Sequence, residues 1–440
     1  GVPLPRQLHG AGVAMGESAA HSPVTYGLLG RTLKHSWSPQ IHERLGTVPY
    51  ELVELEPSEL AAFVREGSWQ GLNCTIPYKR DLMGLVDELR PNAKRIGAVN
   101  TLLHGPDGRV IGDNTDLFGF AWMLGRFCER HLGTRDALRG SKALVLGSGG
   151  ASKAVVAALE DAGATPVVIS RHGTNTYETI RERHADAALI VNTTPVGMYP
   201  NCPASPLPDK TLEALPRMRG VVDVVYNPER TGIMLDADRL QIPAESGLAM
   251  LVGQAWLSSC MWQGVELAEA LIGSIERQIT LQCRNIALIG MPGSGKTSAG
   301  RNLAELTGRT FVDMDVDFAR RYGKTPAKVI QAEGEQAFRK METAALAEVT
   351  KGSNLVVSCG GGVVTKPENL PLLRQNSSVV MIDRKLEELS SRGRPLSQQR
   401  GVAALAEERM PLYRAWADLV VACTGSARGD ALEIIRRLGL

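Results

Sequence analysis

The eight residues from Gly290 to Thr297, GMPGSGKT, constrain this 440-residue chain more than any other stretch. Their spacing matches the phosphate-binding loop G-x-x-x-x-G-K-[ST], and the apolar run NIALI before them predicts a buried strand. Ser298 to Thr307 then predicts a helix. In such a loop the backbone N–H groups surround a β-phosphate, the lysine reaches the β- and γ-phosphates, and the threonine hydroxyl binds Mg²⁺. This part of the chain is therefore predicted to bind ATP or GTP.

Composition narrows the class of protein. The length predicts about three domains, and the net charge of +2, with both signs interspersed, argues against a nucleic-acid or membrane partner. The seven cysteines are odd in number and never spaced as CxxC, which indicates neither a disulfide framework nor a zinc site. We expect a reducing, cytoplasmic location. Residues 1–22 show no targeting pattern and are expected to form a flexible tail.

In the N-terminal part, short apolar runs alternate with helical patterns such as Ser38 to Leu45, which predicts βαβ units. Ser36 and Ser38 stand two apart before a proline; their hydroxyls either bind a carboxylate or cap the following helix. Lys79 follows a strand and turn, where a surface lysine is the ordinary interpretation. If Asp116 lies close to it, the two form a plausible proton-handling pair.

A second unit begins at Lys142, where KALVLGSGGAS gives a strand, a glycine-rich turn and the start of a helix. This pattern is typical of a dinucleotide-binding turn. The next strand ends in Ser170 and Arg171, where an NAD-binding turn would carry an acidic residue. A cation at this point favours the 2′-phosphate of NADP, although a solvated loop arginine is the alternative. From Gly247 a long helical stretch of dense apolar residues runs to about Ile279.

The motifs HSWSP, NCTIPYK, AVNT, GDNTD, GSGGAS, NTTPVGM, DVVYNP and GLAMLVGQA together resemble the shikimate dehydrogenase family, over about Val24 to Gly273. The resemblance implies that Lys79 and Asp116 are the catalytic pair. It implies shikimate contacts from Ser36, Ser38, Thr75, Asn100, Tyr226 and Gln254, and NADP contacts from Gly147, Gly149, Gly150, Ala151, Ser170, Arg171 and Met250. Asn175 stands where the family often has a second basic residue, so Arg171 would carry more of the NADP preference.

After the phosphate-binding loop, Thr310 to Asp317 predicts a strand ending in two carboxylates, Asp313 and Asp315, on one side of the chain. One is suited to the Mg²⁺ region and the other to an acceptor hydroxyl; a solvated acidic turn is the alternative. Ala327 to Val349 predicts one helix, and Leu355 to Gly362 predicts a strand running into three glycines, which suggests a ligand close to the backbone. Arg392 and Arg394 lie in a polar stretch suited to a lid.

These features resemble the shikimate kinase family from about Asn285 to the C-terminus. The resemblance implies an ATP site formed by Gly290, Gly293, Ser294, Gly295, Lys296, Thr297 and Ser298, with Thr297 and Asp313 serving Mg²⁺. It implies a shikimate site formed by Asp315, Arg339, Gly360, Gly361, Gly362 and Arg409. Lys296 and Arg394 would be catalytic. The adenine-side arginine of the family has no clear counterpart at Arg392.

The prediction is an α/β protein with five segments, of which the first is the tail of residues 1–22. Residues 23–122, completed by helices in 247–275, form a shikimate-dehydrogenase-like substrate domain, and residues 123–246 form a Rossmann NADP domain. A linker at 276–284 leads to a P-loop kinase domain with a parallel sheet at 285–440. The two resemblances imply NADPH-dependent reduction of 3-dehydroshikimate and ATP- and Mg²⁺-dependent phosphorylation of shikimate, in the pathway to chorismate and aromatic amino acids. Alternatives are a quinate/shikimate dehydrogenase that uses NAD, fused to a kinase, and an inactive pathway regulator.

Overall fold

The computed structural model describes residues 24–389 and 401–440. The predicted tail and the predicted lid arginines Arg392 and Arg394 lie outside these residues. The described chain contains three sheets that follow one another in sequence. The α/β prediction is confirmed.

The first sheet has six strands in the order β2-β1-β3-β5-β6-β4. They are β1 (Tyr26–Gly30), β2 (Tyr50–Glu54), β3 (Gly71–Cys74), β4 (Glu88–Leu89), β5 (Thr101–His104) and β6 (Val110–Asp113), with helices α1 (Ser38–Leu45), α2 (Pro57–Glu66) and α3 (Pro91–Ile96) between them. β1 is parallel to β2 and β3, whereas β5 is antiparallel to β3 and β6. Prolines begin α2 and α3, where a missing N–H leaves no intrahelical bond unmade.

The second sheet is parallel, in the order β11-β10-β9-β7-β8. Its strands are β7 (Lys142–Leu146), β8 (Thr165–Ile169), β9 (Leu189–Asn192), β10 (Gly220–Asp223) and β11 (Ala244–Glu245). The chain enters it through α4 (Asp116–Phe127), and α5 (Gly150–Asp161), α6 (Ile180–Arg183) and α7 (Gly232–Arg239) connect its strands. β7, β9 and β10 are almost wholly buried, as strands covered by helices on both faces must be.

Two further helices, α8 (Leu248–Gln263) and α9 (Ala270–Cys283), return the chain to the first sheet. They are separate because Gly264 ends α8 in the left-handed conformation, so the helical stretch predicted from Gly247 consists of two helices. α4 and α8 approach closely, since a Cβ on Gly119 would lie 2.5 Å from the backbone oxygen of Met250. The segment 276–284, expected to be a linker, is mostly the last part of α9, with Ile279 fully buried.

The third sheet is also parallel, in the order β13-β14-β12-β15-β16. Its strands are β12 (Asn285–Ile289), β13 (Thr310–Asp313), β14 (Leu355–Ser358), β15 (Ser377–Asp383) and β16 (Leu419–Ala422). Its helices are α10 (Lys296–Thr307), α11 (Met314–Tyr322), α12 (Pro326–Glu333), α13 (Glu335–Val349), α14 (Asn369–Arg374), α15 (Val402–Trp416) and α16 (Ala427–Leu438). The single helix predicted over 327–349 is wrong, because Gly334 at φ 92° separates α12 from α13.

Hydrogen bonds join the third sheet to the second. Arg284, directly before β12, donates from Nε to Oε2 of Glu229 at 2.9 Å. The backbone N–H of Glu229 donates to Oδ1 of Asn376 at 2.9 Å, and the N–H of Arg230 donates to the carbonyl of Gln375 at 2.9 Å. Arg284, Gln375 and Asn376 all precede strands of the third sheet. The amino edge of that sheet therefore faces the loop after β10.

All seven cysteines carry free thiols. Among the helices of residues 24–389 and 401–440, none combines the length and apolar character that a membrane span requires.

Candidate active sites

The first candidate site contains a lysine–aspartate pair. Lys79 follows β3, and its Nζ donates to Oδ2 of Asp116, the first residue of α4, at 2.6 Å. Asn100 donates from Nδ2 to the other oxygen of Asp116 at 3.1 Å. Burial acts to lower the pKa of Lys79, but the charge and hydrogen bond of Asp116 outweigh it, so the pKa is raised. Lys79 is therefore protonated at neutral pH and able to donate a proton.

A buried polar network supports this pair, and no sequence motif indicates it. Ser258 on α8 shares hydrogen bonds with Thr101 at 2.9 Å and with Thr115 at 3.2 Å, while Asn73 donates to Ser258 at 3.0 Å. Thr115 in turn donates its N–H to Oδ1 of Asn100 at 2.7 Å. Each of these residues looks like an ordinary strand or helix residue in sequence. Only the packing of α8 on the first sheet reveals that they fix the orientation of Asn100.

The other predicted shikimate contacts lie at the carboxyl ends of β1, β3 and β10 and on α8. Ser38 donates its N–H to Oγ of Ser36 at 3.2 Å, and the Trp37 ring lies 5.0 Å from that of Tyr226. The N-cap residue of α1, Trp37, makes no side-chain capping bond, but the bond to Ser36 satisfies the N–H of the first helix residue, so the capping alternative is supported for Ser36. Thr75 follows β3, and Gln254 is buried with Oε1 3.5 Å from Nδ2 of Asn100.

The predicted dinucleotide-binding turn lies between β7 and α5. Gly147 has φ 98°, and Gly149 precedes the first residue of α5, Gly150. A Cβ at Gly149 or Gly150 would meet no protein atom within 4 Å, so this turn is open to a ligand. Ala151 is the second residue of the helix, whose N–H groups point towards the same turn.

Ser170 and Arg171 follow β8, the neighbour of β7, and Arg171 is exposed. Asn175 does not face the turn, because its side chain bonds to the His184 ring at 2.8 Å. Met250, in contrast, is buried in the core between α4 and α8 with 8% of its surface exposed. Met250 therefore packs in the core that α8 shares with α4 and with α5, the helix that follows the glycine-rich turn.

The second candidate site is the loop between β12 and α10. Gly290, Gly293 and Gly295 have φ values of 146°, 82° and 94°, which residues with side chains rarely adopt. Lys296 donates from Nζ to the carbonyls of Gly290 and Met291, each at 2.9 Å. Ser294 lies within the loop, and Ser298 lies in the first turn of α10, which begins two residues before the helix start predicted from sequence.

The side chains of Thr297 and Asp313 place two oxygen atoms close together. Oγ1 of Thr297 donates a hydrogen bond to Oδ2 of Asp313 at 3.0 Å. The predicted extended run through Asp315 is wrong, because β13 ends at Asp313 and Asp315 is in the first turn of α11. Asp313 caps that helix by accepting the N–H of Asp315 at 2.9 Å. The two carboxylates are adjacent because of a strand-to-helix turn and do not share a strand face.

The two arginines predicted to bind shikimate in the second candidate site are both buried. Arg339 on α13 is 4% exposed and Arg409 on α15 is 1% exposed. Nε of Arg339, and Nε and Nη2 of Arg409, are buried without a hydrogen-bond partner in the described part of the chain. Unpaired buried donors of this kind are costly unless an acceptor binds there. This arrangement is suited to a carboxylate ligand.

The three glycines after β14 pass between these groups. A Cβ on Gly360 would lie 2.9 Å from Oε2 of Glu342, and a Cβ on Gly361 would lie 2.6 Å from Pro292. A Cβ on Gly362 would overlap the guanidinium of Arg339. Glu342, which sequence reasoning missed, accepts from Nη1 of Arg339 at 2.8 Å. Burial raises the pKa of Glu342, although Arg339 opposes that shift.

A further missed residue is Arg384, directly after β15. Its Nε donates to the carbonyl of Ser294 in the phosphate-binding loop at 3.3 Å, and a Cβ on Gly295 would lie 3.3 Å from its Nη2. A cation following a strand that neighbours β12 is the sequence signal that could have identified it. Cavity size, in contrast, does not locate either site: a cavity of about 680 Å³ lies at the amino edge of the second sheet, lined partly by Lys142 and Arg219.

Comparison with known proteins assigns both parts of the chain. Residues 28–102 match the shikimate dehydrogenase substrate binding domain, and residues 292–439 match shikimate kinase. The shikimate dehydrogenase (NADP(+)) of Clostridium beijerinckii is 33% identical over 267 residues, covering 56% of this chain and 94% of the relative. That of Oleidesulfovibrio alaskensis is 36% identical over 272 residues, covering 56% of this chain and 94% of the relative.

Solved structures agree. Shikimate dehydrogenase 1 from Peptoclostridium difficile is 32% identical with a TM-score of 0.51, and the match covers 59% of this chain and 98% of that one. A chorismate mutase/shikimate 5-dehydrogenase fusion protein from Clostridium acetobutylicum is 34% identical with a TM-score of 0.53, covering 59% of this chain and 97% of that one. The chain therefore belongs to the shikimate dehydrogenase family and continues, after that part, into a shikimate kinase domain.

Proposed function

We propose that this chain carries out two consecutive steps of the shikimate pathway. The first site reduces 3-dehydroshikimate to shikimate with NADPH, and the second phosphorylates shikimate to shikimate 3-phosphate with ATP and Mg²⁺. The observation that carries the proposal is the 2.6 Å Lys79–Asp116 pair in a chain that also contains a complete phosphate-binding loop. The kinase family model and the dehydrogenase relative both have shikimate in their names. This supports the proposal that the product of the first reaction is the substrate of the second.

In the dehydrogenase site, Lys79 supplies the proton. NADPH, when bound, supplies the hydride that reduces the ketone. Lys79, kept protonated by Asp116, donates to the oxygen on which negative charge develops. Ser36 and Ser38 bind the carboxylate of the substrate, and Thr75, Asn100, Tyr226 and Gln254 contact its ring.

The residues present fit NADP. Gly149 and Gly150 face open space at the start of α5, as a pyrophosphate requires, and Gly147 and Ala151 flank them in the same turn. Ser170 and the exposed Arg171 stand where the 2′-phosphate would be recognised, and no acidic residue precedes them at the end of β8. Met250 would contact the cofactor only from the edge of the core.

In the kinase site, the residues fit ATP and Mg²⁺. The loop from Gly290 to Ser298 presents backbone N–H groups and Lys296 to phosphates, and Thr297 with Asp313 would hold Mg²⁺ through oxygen donors. Asp315 accepts a proton from the acceptor hydroxyl of shikimate. Arg339 and Arg409 bind its carboxylate, with Gly360, Gly361 and Gly362 close to the ring. Arg394, which lies outside the described residues, is proposed to stabilise the transferred phosphate.

The finer statements on partners and location are also proposals. The substrates are small molecules, and neither nucleic acid nor a membrane is needed for either reaction. Seven free thiols and sites for NADPH and ATP support a cytoplasmic location.

The test is a coupled assay in which the protein receives 3-dehydroshikimate, NADPH, ATP and Mg²⁺ and the products are identified. Lys79→Ala should reduce NADPH oxidation by roughly 10²- to 10⁴-fold, because a general acid is lost, and should leave shikimate phosphorylation intact. Lys296→Met should do the reverse. If wild-type protein forms neither product, the chain is a regulator without catalytic activity. If quinate and NAD are preferred, the first activity is assigned wrongly.

A further inference from the structure

A cavity of about 320 Å³ lies between the dehydrogenase and kinase parts of the chain. Residues from both parts line it: Lys34, His35, Ser36, Trp37, Tyr199 and Asn227 from the dehydrogenase, and Lys351, Gly352 and Ser353 from the kinase. Ser36 is one of the residues proposed to bind the substrate carboxylate. The cavity therefore borders the proposed dehydrogenase substrate site at Ser36.

The two parts contribute opposite edges of their sheets to this cavity. Ser36, Tyr199 and Asn227 follow the carboxyl ends of β1, β9 and β10, the edge that carries the dehydrogenase site. Lys351 to Ser353 precede the amino end of β14, and the phosphate-binding loop is at the other end of that sheet. The kinase thus presents the edge away from its own active site to the active-site edge of the dehydrogenase.

Contacts in the cavity wall and beside it hold this arrangement. The ring of His35 lies edge-on to that of Tyr199 at 5.3 Å, which joins the first and second sheets. The hydrogen bonds of Glu229 with Arg284 and Asn376 join the second and third sheets. Burial raises the pKa of the Cys202 thiol, and the charge of Lys351 opposes this, which places the kinase lysine near the dehydrogenase loop.

The charge of the cavity has one sign. Lys34 and Lys351 are cationic, and the described residues that line the cavity include no aspartate or glutamate. Nζ of Lys351 does pair with Oε1 of Glu348 at 2.9 Å, and the Glu348 side chain is 56% exposed. That exposed carboxylate weakens the field of Lys351 without removing it, because an exposed ion pair is strongly screened by water.

We propose that the kinase half completes the entrance to the dehydrogenase site, with Lys351 acting as a positioning residue that attracts the carboxylate of the incoming substrate. The ligand is a small hydroxylated monocarboxylate, held between Lys34, His35 and Lys351 before it reaches Ser36 and Ser38. This inference rests on the proposed dehydrogenase function. Under this proposal the kinase half assists the dehydrogenase site. The dehydrogenase half does not assist the kinase site, since that site lies at the opposite edge of the kinase sheet.

The experiment measures NADPH oxidation and shikimate phosphorylation separately in the full chain. Lys351→Gln should lower kcat/KM for 3-dehydroshikimate by roughly two- to threefold at low salt, and Lys351→Glu by roughly five- to tenfold, with kcat unchanged. Glu348→Gln should raise kcat/KM by roughly twofold, because it removes the negative charge that opposes the attraction of Lys351 for the substrate carboxylate. At about 0.5 M salt these differences should shrink towards none. Phosphorylation should not change in any of the three.

The matched control is Lys324→Gln, because Lys324 is another kinase lysine in an exposed pair, with Glu333 at 3.3 Å. It should leave kcat/KM for reduction unchanged. Equal kcat/KM in wild type and Lys351→Glu would overturn the inference, as would a loss that is the same at high salt, which would indicate a steric effect. A wild-type protein that does not oxidise NADPH would instead reject the dehydrogenase function on which the inference rests.

Discussion

Arg339 and Gly362 occupy adjoining space so closely that a Cβ on residue 362 would overlap the guanidinium of the arginine. The Gly362→Ala variant must therefore displace Arg339, which we propose binds the carboxylate of shikimate. Loss of a hydrogen bond to a charged group costs about 1.5–3 kcal/mol, so KM for shikimate should rise roughly 10- to 150-fold. NADPH oxidation by the same variant is the internal control. An unchanged KM would show that Arg339 does not bind the substrate.

Asp116→Asn should move the pH dependence of 3-dehydroshikimate reduction. In the wild type Asp116 raises the pKa of Lys79 against the effect of burial. Without that charge burial prevails, so the pKa of Lys79 falls and the proton donor is lost at a lower pH. The alkaline decline of kcat/KM should shift to lower pH, with a rate loss of roughly 10²-fold at neutral pH. Asp113→Asn is the control, because Asp113 pairs with Arg90 at 3.4 Å and not with Lys79. An equal shift of the alkaline decline in that variant would contradict the assignment of Asp116 as the partner that raises the pKa of Lys79.

Arg171→Ala should weaken NADPH binding and leave NADH binding nearly unchanged. Arg171 is exposed at the end of β8, and only NADPH carries the 2′-phosphate that its guanidinium would bind. A charged hydrogen bond of about 1.5–3 kcal/mol corresponds to a roughly 10- to 150-fold change in affinity. Fluorescence titration with each cofactor measures it. Equal losses for both cofactors would show that Arg171 does not recognise the phosphate.

His42 should make the dehydrogenase part less stable in mild acid. It is fully buried, its Nδ1 is 2.6 Å from Oγ1 of Thr47, and burial lowers its pKa to about 3. Because the unfolded chain takes up a proton near pH 6.5 and the folded chain does not, stability is lost as the pH falls from there towards 3. Between pH 7.5 and 5 the loss from this group is about 2 kcal/mol.

Urea unfolding at these two pH values measures the effect. His42→Asn should be less stable at pH 7.5 but should lose less stability on acidification than the wild type. The matched control is His104→Asn, at an exposed position on β5, which should keep the wild-type pH dependence. If His42→Asn keeps it too, His42 is not neutral in the folded protein.

Shikimate should pass from the first site to the second through solvent. The two sites are separated by the third sheet, whose amino edge faces the dehydrogenase and whose strand β12 is five residues long, roughly 16 Å. A large excess of separate, kinase-dead chain should therefore trap the intermediate and delay formation of shikimate 3-phosphate. Product that appears at once and resists the trap would demonstrate direct transfer.

The phosphate-binding loop, the glycine-rich turn after β7 and the alternation of strands and helices could be predicted from sequence, because local spacing and hydrophobic runs dictate them. Helix breaks were predicted less well. Gly264 and Gly334 end helices in which the apolar pattern continues, and the position of Asp315 depends on a helix that begins inside an apparent strand. In each case backbone conformation, which periodicity does not report, decided the outcome.

The sequence alone determined which residue types are available to each reaction, since Lys79, Asp116, Lys296 and Asp313 stand in recognisable local motifs. Tertiary structure alone decided which distant groups meet. Ser258 reaches Thr101 across 157 positions, Arg409 becomes buried near Tyr413 and Glu342, and Lys351 lies against the other half of the chain. The physical reason is that hydrogen bonding and charge act over a few ångströms in space, and only the packing of helices on sheets brings residues so far apart in sequence within that range.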